Sequence, residues 1–232
     1  GTFLVGRHDT PAKMAFYASG NERLGDSVID LNLGNNLNGT SAKNAPIGVF
    51  HEYRADNAIA YVTPNFSGFT AAVAIIPGED SDVGGSRDGI ADHYSVGAMY
   101  KGNGLKASVG YSSYDLDGPG ATNADDWEVV NVGASYTFNN FSIGAAYEDG
   151  SNIPSQYTTG NKDNDYWAAA ATGKYTFGNN AISAVYTHSE REPDSCNNGS
   201  NSCDTELDGW GLAAEHNFSK RTKVYAAYAS GE

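Results

Sequence analysis

No stretch of this chain approaches the ~20 consecutive apolar residues that a membrane-crossing helix requires. Basic residues are scarce: 14 Lys and Arg stand against 28 Asp and Glu, so no basic face is available for a nucleic acid. Only two cysteines occur, too few thiols for a zinc cluster. The phrases Gly-x-Ser-x-Gly and His-Glu-x-x-His are missing, and His8, His51, His93, His188 and His216 are scattered over different segments. Nothing therefore assembles a nucleophile with a positioned base, and no enzyme is expected.

What is abundant is glycine (28) and tyrosine (15), in a strongly alternating sequence. Leu105, Ala107, Val109 and Tyr111 share one parity, and Lys106, Ser108 and Gly110 the other. Phe141, Ile143, Ala145 and Tyr147 oppose Ser142, Gly144, Ala146 and Glu148. A period of two marks strands with one apolar and one polar face. Eleven such runs are legible, at about 1–7, 54–63, 69–76, 92–101, 105–114, 127–138, 141–149, 165–177, 181–190, 207–218 and 222–230. Five joints between them are short and flanked by aromatics, for example Tyr136-Thr-Phe-Asn-Asn-Phe141 and Tyr175-Thr-Phe-Gly-Asn-Asn180. The intervening joints are long and acidic. Loops sorted by length, with aromatics at the short end, are what a membrane-spanning β-barrel needs. Ten residues tilted by about 45° rise roughly 23 Å, close to the apolar band of such a barrel. The apolar parity then faces lipid, and Leu105, Val109, Phe141 and Ile143 are expected outside. In a soluble sandwich they would meet in a dry core.

Twenty of the 28 acids lie in segments 79–92, 115–128, 148–165 and 190–208, beside only Arg87, Lys162 and Arg191. Such a rim concentrates cations. Asp80, Asp82, Asp115 and Asp117 supply hard oxygens for loosely bound Ca or Mg, without the spacing of an EF-hand loop; no dedicated metal site or other cofactor is expected. Cys196 and Cys203, inside one polar loop, fit a disulfide of an oxidising compartment, the alternative being two free thiols. Residues 8–53 separate the first two runs and exceed an ordinary connection. The segment opens on Asp9-Thr10-Pro11, a capping side chain before a first-turn proline, which predicts a short helix over Pro11–Ser19.

Gly6-Arg7-His8-Asp9-Thr10-Pro11, the long segment containing Gly25-Asp26, and Arg54-Ala-Asp56-Asn57-Ala-Ile59-Ala-Tyr61-Val-Thr-Pro64-Asn-Phe66-Ser-Gly68-Phe69 together resemble Gram-negative general diffusion porins. Phe218-Ser-Lys-Arg-Thr222 followed by Val224-Tyr-Ala-Ala-Tyr228 resembles their penultimate hairpin. The resemblance covers essentially the whole chain. It implies an all-β fold: one domain over 1–232, a transmembrane antiparallel barrel of 16 strands of which about eleven are covered here, missing strands at both ends. It also implies that 8–53 is a constriction loop folded into the lumen. The enteric phrase Pro-Glu-Phe-Gly-Gly is missing from it. Further implications are a homotrimer in the outer membrane of a Gram-negative bacterium, contacts with membrane lipid and lipopolysaccharide, and passive passage of small hydrophilic solutes and ions.

With Ile59 and Tyr61 facing lipid, simple alternation puts Arg54, Asp56, Ala58 and Ala60 on the lumen. Arg7 ends the preceding strand. In the resembling family wall arginines oppose loop carboxylates across the narrowest point, which here nominates Arg7, Arg54 and Asp56 on the wall and Glu22, Asp26 and Asp30 on the loop. The competing reading of the same residues is that Arg7 and Arg54 pair locally with Asp9 and Asp56 at strand ends. For the whole chain, the competing function is a barrel acting as adhesin or surface-layer anchor through loops 77–92 and 190–206.

Overall fold

The computed structural model describes residues 1–25, 27–31, 50–78, 90–115, 126–152, 164–193 and 205–232. Eleven strands occur among them: β1 (Thr2–Asp9), β2 (Arg54–Val62), β3 (Phe69–Ile76), β4 (His93–Gly102), β5 (Leu105–Tyr114), β6 (Trp127–Phe138), β7 (Phe141–Ser151), β8 (Asn164–Phe177), β9 (Asn180–Pro193), β10 (Thr205–Ser219) and β11 (Thr222–Gly231). Each pairs antiparallel with its sequence neighbours in one sheet, with β1 and β11 at its edges. Up-and-down order follows from the short joints, since antiparallel neighbours need only a tight hairpin. Between β4 and β5, Asn103 and Gly104 both take positive φ, 50° and 80°, the geometry of a two-residue type I′ turn that matches strand twist.

The faces are sorted inside out. Leu105, Val109, Phe141 and Ile143 are 37, 46, 47 and 57% exposed, not gathered in a core. Val73, Val96, Val132, Ile182 and Leu212 are exposed on the same face. Aromatic rows bound this aliphatic band. At the short-turn end, Phe69 meets Tyr100 at 4.7 Å between ring centroids and Phe141 meets Tyr175 at 4.5 Å. Toward the long loops lie the pairs Tyr94–Tyr111, Tyr147–Trp167 and Trp210–Tyr228. An apolar band between two aromatic girdles is a surface that hydrocarbon wets.

The other face is covered by the chain itself. After Asp9 the backbone turns off the sheet into α1 (Pro11–Ala18), whose N-cap Thr10 accepts a hydrogen bond from the Lys13 amide. The helix lies on β4, β5 and β6. Small residues make room for it. A Cβ at Gly97 would stand 2.4 Å from the Pro11 carbonyl oxygen, and one at Gly110 would stand 2.7 Å from Ala12 Cα. These two glycines are cross-strand partners, so α1 seats in a notch that no larger residue leaves open. Phe16 of the helix, with Leu24, Ile29, Leu31 and Phe50 beyond it, buries against Ala146, Ala168, Ala170, Val185 and Ala213 of the wall. Five large side chains at roughly 1.5–3 kcal/mol each hold the segment down. No helix among the described residues is long and apolar enough to cross a membrane; crossing falls to the strands.

Candidate functional site

The inward segment enters and leaves the wall at one point, because the Thr10 amide donates to the Tyr53 carbonyl at 3.1 Å. Between these ends it is stitched to the covered face. The Ala12 amide donates to Ser95 Oγ at 3.0 Å, and Ser135 Oγ donates to the Ser19 carbonyl at 2.6 Å. Asn21 is fully buried; its Nδ2 donates to the Ala145 carbonyl at 2.9 Å and its Oδ1 accepts from Thr172 at 3.0 Å. Arg23 reaches β7 and β8, donating to Ser142 Oγ and Thr172 Oγ1, both at 3.0 Å. At the returning end, the His51 amide donates to Glu148 Oε1 at 2.6 Å, and Tyr166 donates to the same oxygen.

Three carboxylates converge on this segment. One oxygen each from Glu22, Asp30 and Glu52 lies within 4.8 Å of the others. Glu22 Oε2 accepts the Leu31 amide at 3.1 Å, while Glu22 Oε1 and both Glu52 oxygens are buried with no hydrogen-bond donor. Lys13 Nζ stands 3.6 Å from Glu52 Oε2 and 3.4 Å from Asp9. Burial, then the Asp30 charge and the mutual repulsion of the two glutamates, pushes Glu22 up to about 8. Burial likewise pushes Glu52 up to about 8, against the lowering influence of Tyr17 and Lys13 and with the help of Asp30 and Glu148. His51 goes the other way, to about 3, because it is enclosed and faces the Lys13 charge. It is neutral at physiological pH and stacks edge-on against Trp127 at 4.3 Å.

Of the residues nominated from sequence, Glu22 and Asp30 are brought together. Asp26, Asp80, Asp82, Asp117, Cys196 and Cys203 lie outside the described residues, as does most of loops 77–92 and 190–206. Asp115 lies at the end of β5, its amide donating to His93 Nδ1 at 3.0 Å.

The facing expected for Arg54 and Asp56 is corrected. Gly6 pairs with Ala58 but His8 pairs with Ala55, so Asp56 and Asn57 stand opposite the single residue Arg7. This bulge, with Asn57 at φ 56°, inverts the alternation. Ala55, not Asp56, joins Ala58 and Ile76 in a buried cluster. Arg54 and Asp56 are exposed, and the pairs formed are Arg7–Asp56 at 3.3 Å and Arg54–Asp9 at 3.4 Å. The local-pairing alternative describes these arginines.

Glu52, Lys13, Arg23 and Glu148 were not nominated, nor were the wall lysines. On the covered face the side chain of Glu215, 4% exposed, is held between Lys174 and Lys223, and Lys106 lies beside Gly20. The sequence around Glu52 offered little beyond a carboxylate two residues before β2, in the mixed phrase His51-Glu52-Tyr53. That for Glu148 was its place in the polar parity of β7, three residues before the strand end.

A family model described as Gram-negative porin matches residues 1–232. Among solved structures, the chain is similar to an anion-selective porin from Comamonas acidovorans at 20% identity and TM-score 0.66, over 98% of this chain and 62% of that one. It is similar to the outer membrane channel DcaP of Acinetobacter baumannii at 12% identity and TM-score 0.68, over 100% and 65%. The trimer form of OmpT, an outer membrane protein of Vibrio cholerae, aligns at 18% identity and TM-score 0.63, over 99% and 66%. The chain thus spans less than two thirds of each of these structures. No curated protein gives a significant match.

Proposed function

The chain belongs to the Gram-negative porin family and is an outer-membrane β-barrel protein, and from that premise we propose that it walls and constricts a water-filled channel for passive diffusion of small hydrophilic solutes and ions. The observation carrying this reading is the inside-out sorting of the strands: large apolar residues are exposed, while small and polar ones lie beneath an inward segment. A soluble protein has no use for that arrangement, and a lipid anchor has no use for a polar face narrowed by its own chain.

Selectivity in such a passage is set by width and by the charged groups at its narrowest part. The acids Glu22, Asp30 and Glu52 sit on the inward segment; Lys106, Lys174 and Lys223 sit on the wall. Because Glu22 and Glu52 hold their protons up to about 8, the segment carries less than its formal negative charge at neutral pH. The wall lysines, two of them sharing Glu215, then face a segment of reduced negative charge. At the segment's root Asp9 links Arg54 to Lys13. In the membrane the protein assembles as a homotrimer, and its acidic loops meet lipopolysaccharide.

The test is conductance of the complete protein in planar bilayers under a KCl gradient. Discrete steps are expected, with a reversal potential that moves toward cation preference in a Lys174→Ala, Lys223→Ala double variant. A protein that inserts and stays silent is an anchor or adhesin.

A further inference from the structure

We propose that Glu22, Asp30 and Glu52 form a site for one hard divalent cation of calcium size on the inward segment. The donor set is entirely carboxylate oxygen, the ligand chemistry that calcium and magnesium select. Calcium–oxygen distances of about 2.3–2.6 Å place opposed ligand atoms about 4.6–5.2 Å apart across the ion. The three oxygens here lie within 4.8 Å of one another, so they span a calcium ion with little movement. Magnesium, at about 2.0–2.1 Å, would need the site to contract.

Glu52 sets this group apart from ordinary surface acids. Its side chain is completely excluded from solvent, and neither of its oxygens receives a hydrogen bond. Glu22 Oε1 is buried in the same condition. Tyr17 and Lys13 are the groups facing Glu52, and Lys13, an ion-pair partner at 3.6 Å, is shared with Asp9. A buried carboxylate oxygen without a donor has lost its hydration uncompensated, and a bound cation offsets that cost. On the same segment, Phe16, Leu24, Ile29, Leu31 and Phe50 pack into one buried apolar cluster.

The backbone is already arranged for such an ion. Glu22 and Asp30 lie on the outgoing limb and Glu52 on the returning limb. The Leu31 amide bonds Glu22, and the Phe50 amide donates to the Leu31 carbonyl at 2.8 Å, so the limbs are drawn together at the site. Ligation would clamp one to the other, with water or carbonyl oxygen filling the remaining positions. The site is enclosed, its Glu52 side chain being excluded from solvent. It does not depend on whether the barrel conducts.

The experiment is calorimetric titration of CaCl2 into the complete, chelator-treated protein in detergent at pH 7. Saturable binding is expected, with Glu52→Gln and Glu22→Gln each weakening it by about tenfold or more. Heat-modifiable gel migration reports that each variant keeps its barrel, and Asp30→Asn replaces any variant that does not. Saturable binding unchanged in the variants would assign the calcium to surface acids and overturn the site; so would no saturable heat at all.

Discussion

The His51 amide and Glu148 Oε1 are 2.6 Å apart, and through that hydrogen bond the inward segment is tied back to β7 just before β2 begins. Glu148 is fully buried and accepts from Tyr166 through the same oxygen. Glu148→Ala leaves an amide and a phenol without an acceptor, at about 1–3 kcal/mol each. Glu148→Gln retains a carbonyl oxygen for both. Thermal unfolding followed by gel migration should show a large loss for the alanine variant and a small one for the glutamine.

Docking of the segment should depend on pH with a definite sign. Glu22 and Glu52 have pKa values raised from 4.5 to about 8, so the docked state holds protons that the undocked state releases, and its stability falls as pH rises from 4.5 to 8. His51, lowered from 6.5 to about 3, contributes stability that falls as pH drops through that interval. The groups facing the acids are Lys13, Tyr17, Asp30 and Glu148. Between 6.5 and 8 only the carboxylates titrate, so the steepest loosening belongs there. Hydrogen exchange across 11–31, measured from pH 5 to 9 and corrected for intrinsic rate, should reveal it. In a conducting channel the reversal potential should shift toward cations over the same interval.

Gly97 and Gly110 form the notch under α1. Gly97→Val forces the helix off the wall, at about 1–3 kcal/mol of overpacking. Proteolysis within 11–31 should accelerate. Gly173→Ala, where an added Cβ meets nothing within 4 Å, should leave it unchanged.

The exposed pairs Arg7–Asp56 and Arg54–Asp9 should contribute little, since such bridges are worth about 0–1 kcal/mol. Arg7→Ala is expected to leave barrel stability within that margin. Asn57→Val should cost more, about 1–2 kcal/mol, because a β-branched residue resists φ 56°. Denaturant midpoints of the two variants distinguish the charge from the backbone.

Strand bounds were legible to within a few residues because alternation and turn chemistry are local signals; β5 and β6 begin and end where Leu105–Tyr114 and Trp127–Phe138 were read. The helix from Pro11 was legible for the same reason, its cap and proline being adjacent. The bulge at Asn57 was not, because an extra residue in one strand shows only when its partner is known. Alternation counted through it therefore put Arg54 and Asp56 on the wrong face. Glu52 escaped notice because its role comes from Glu22 and Asp30, far along the chain and joined only by the fold. Arg23 and Asn21 depend in the same way on Ser142, Ala145 and Thr172.

The most direct measurement is the accessibility of spin labels in the complete protein reconstituted in liposomes, after Cys196 and Cys203 are replaced by Ser. Labels at Ile143, Ile182 and Leu212 should relax with lipid-soluble oxygen and ignore a water-soluble nickel chelate. Labels at Lys106 and Lys174, on the opposite face, should show the reverse. Nickel-accessible labels at the first three positions, with oxygen-accessible ones at the lysines, would contradict a lipid-facing apolar surface around a wet passage.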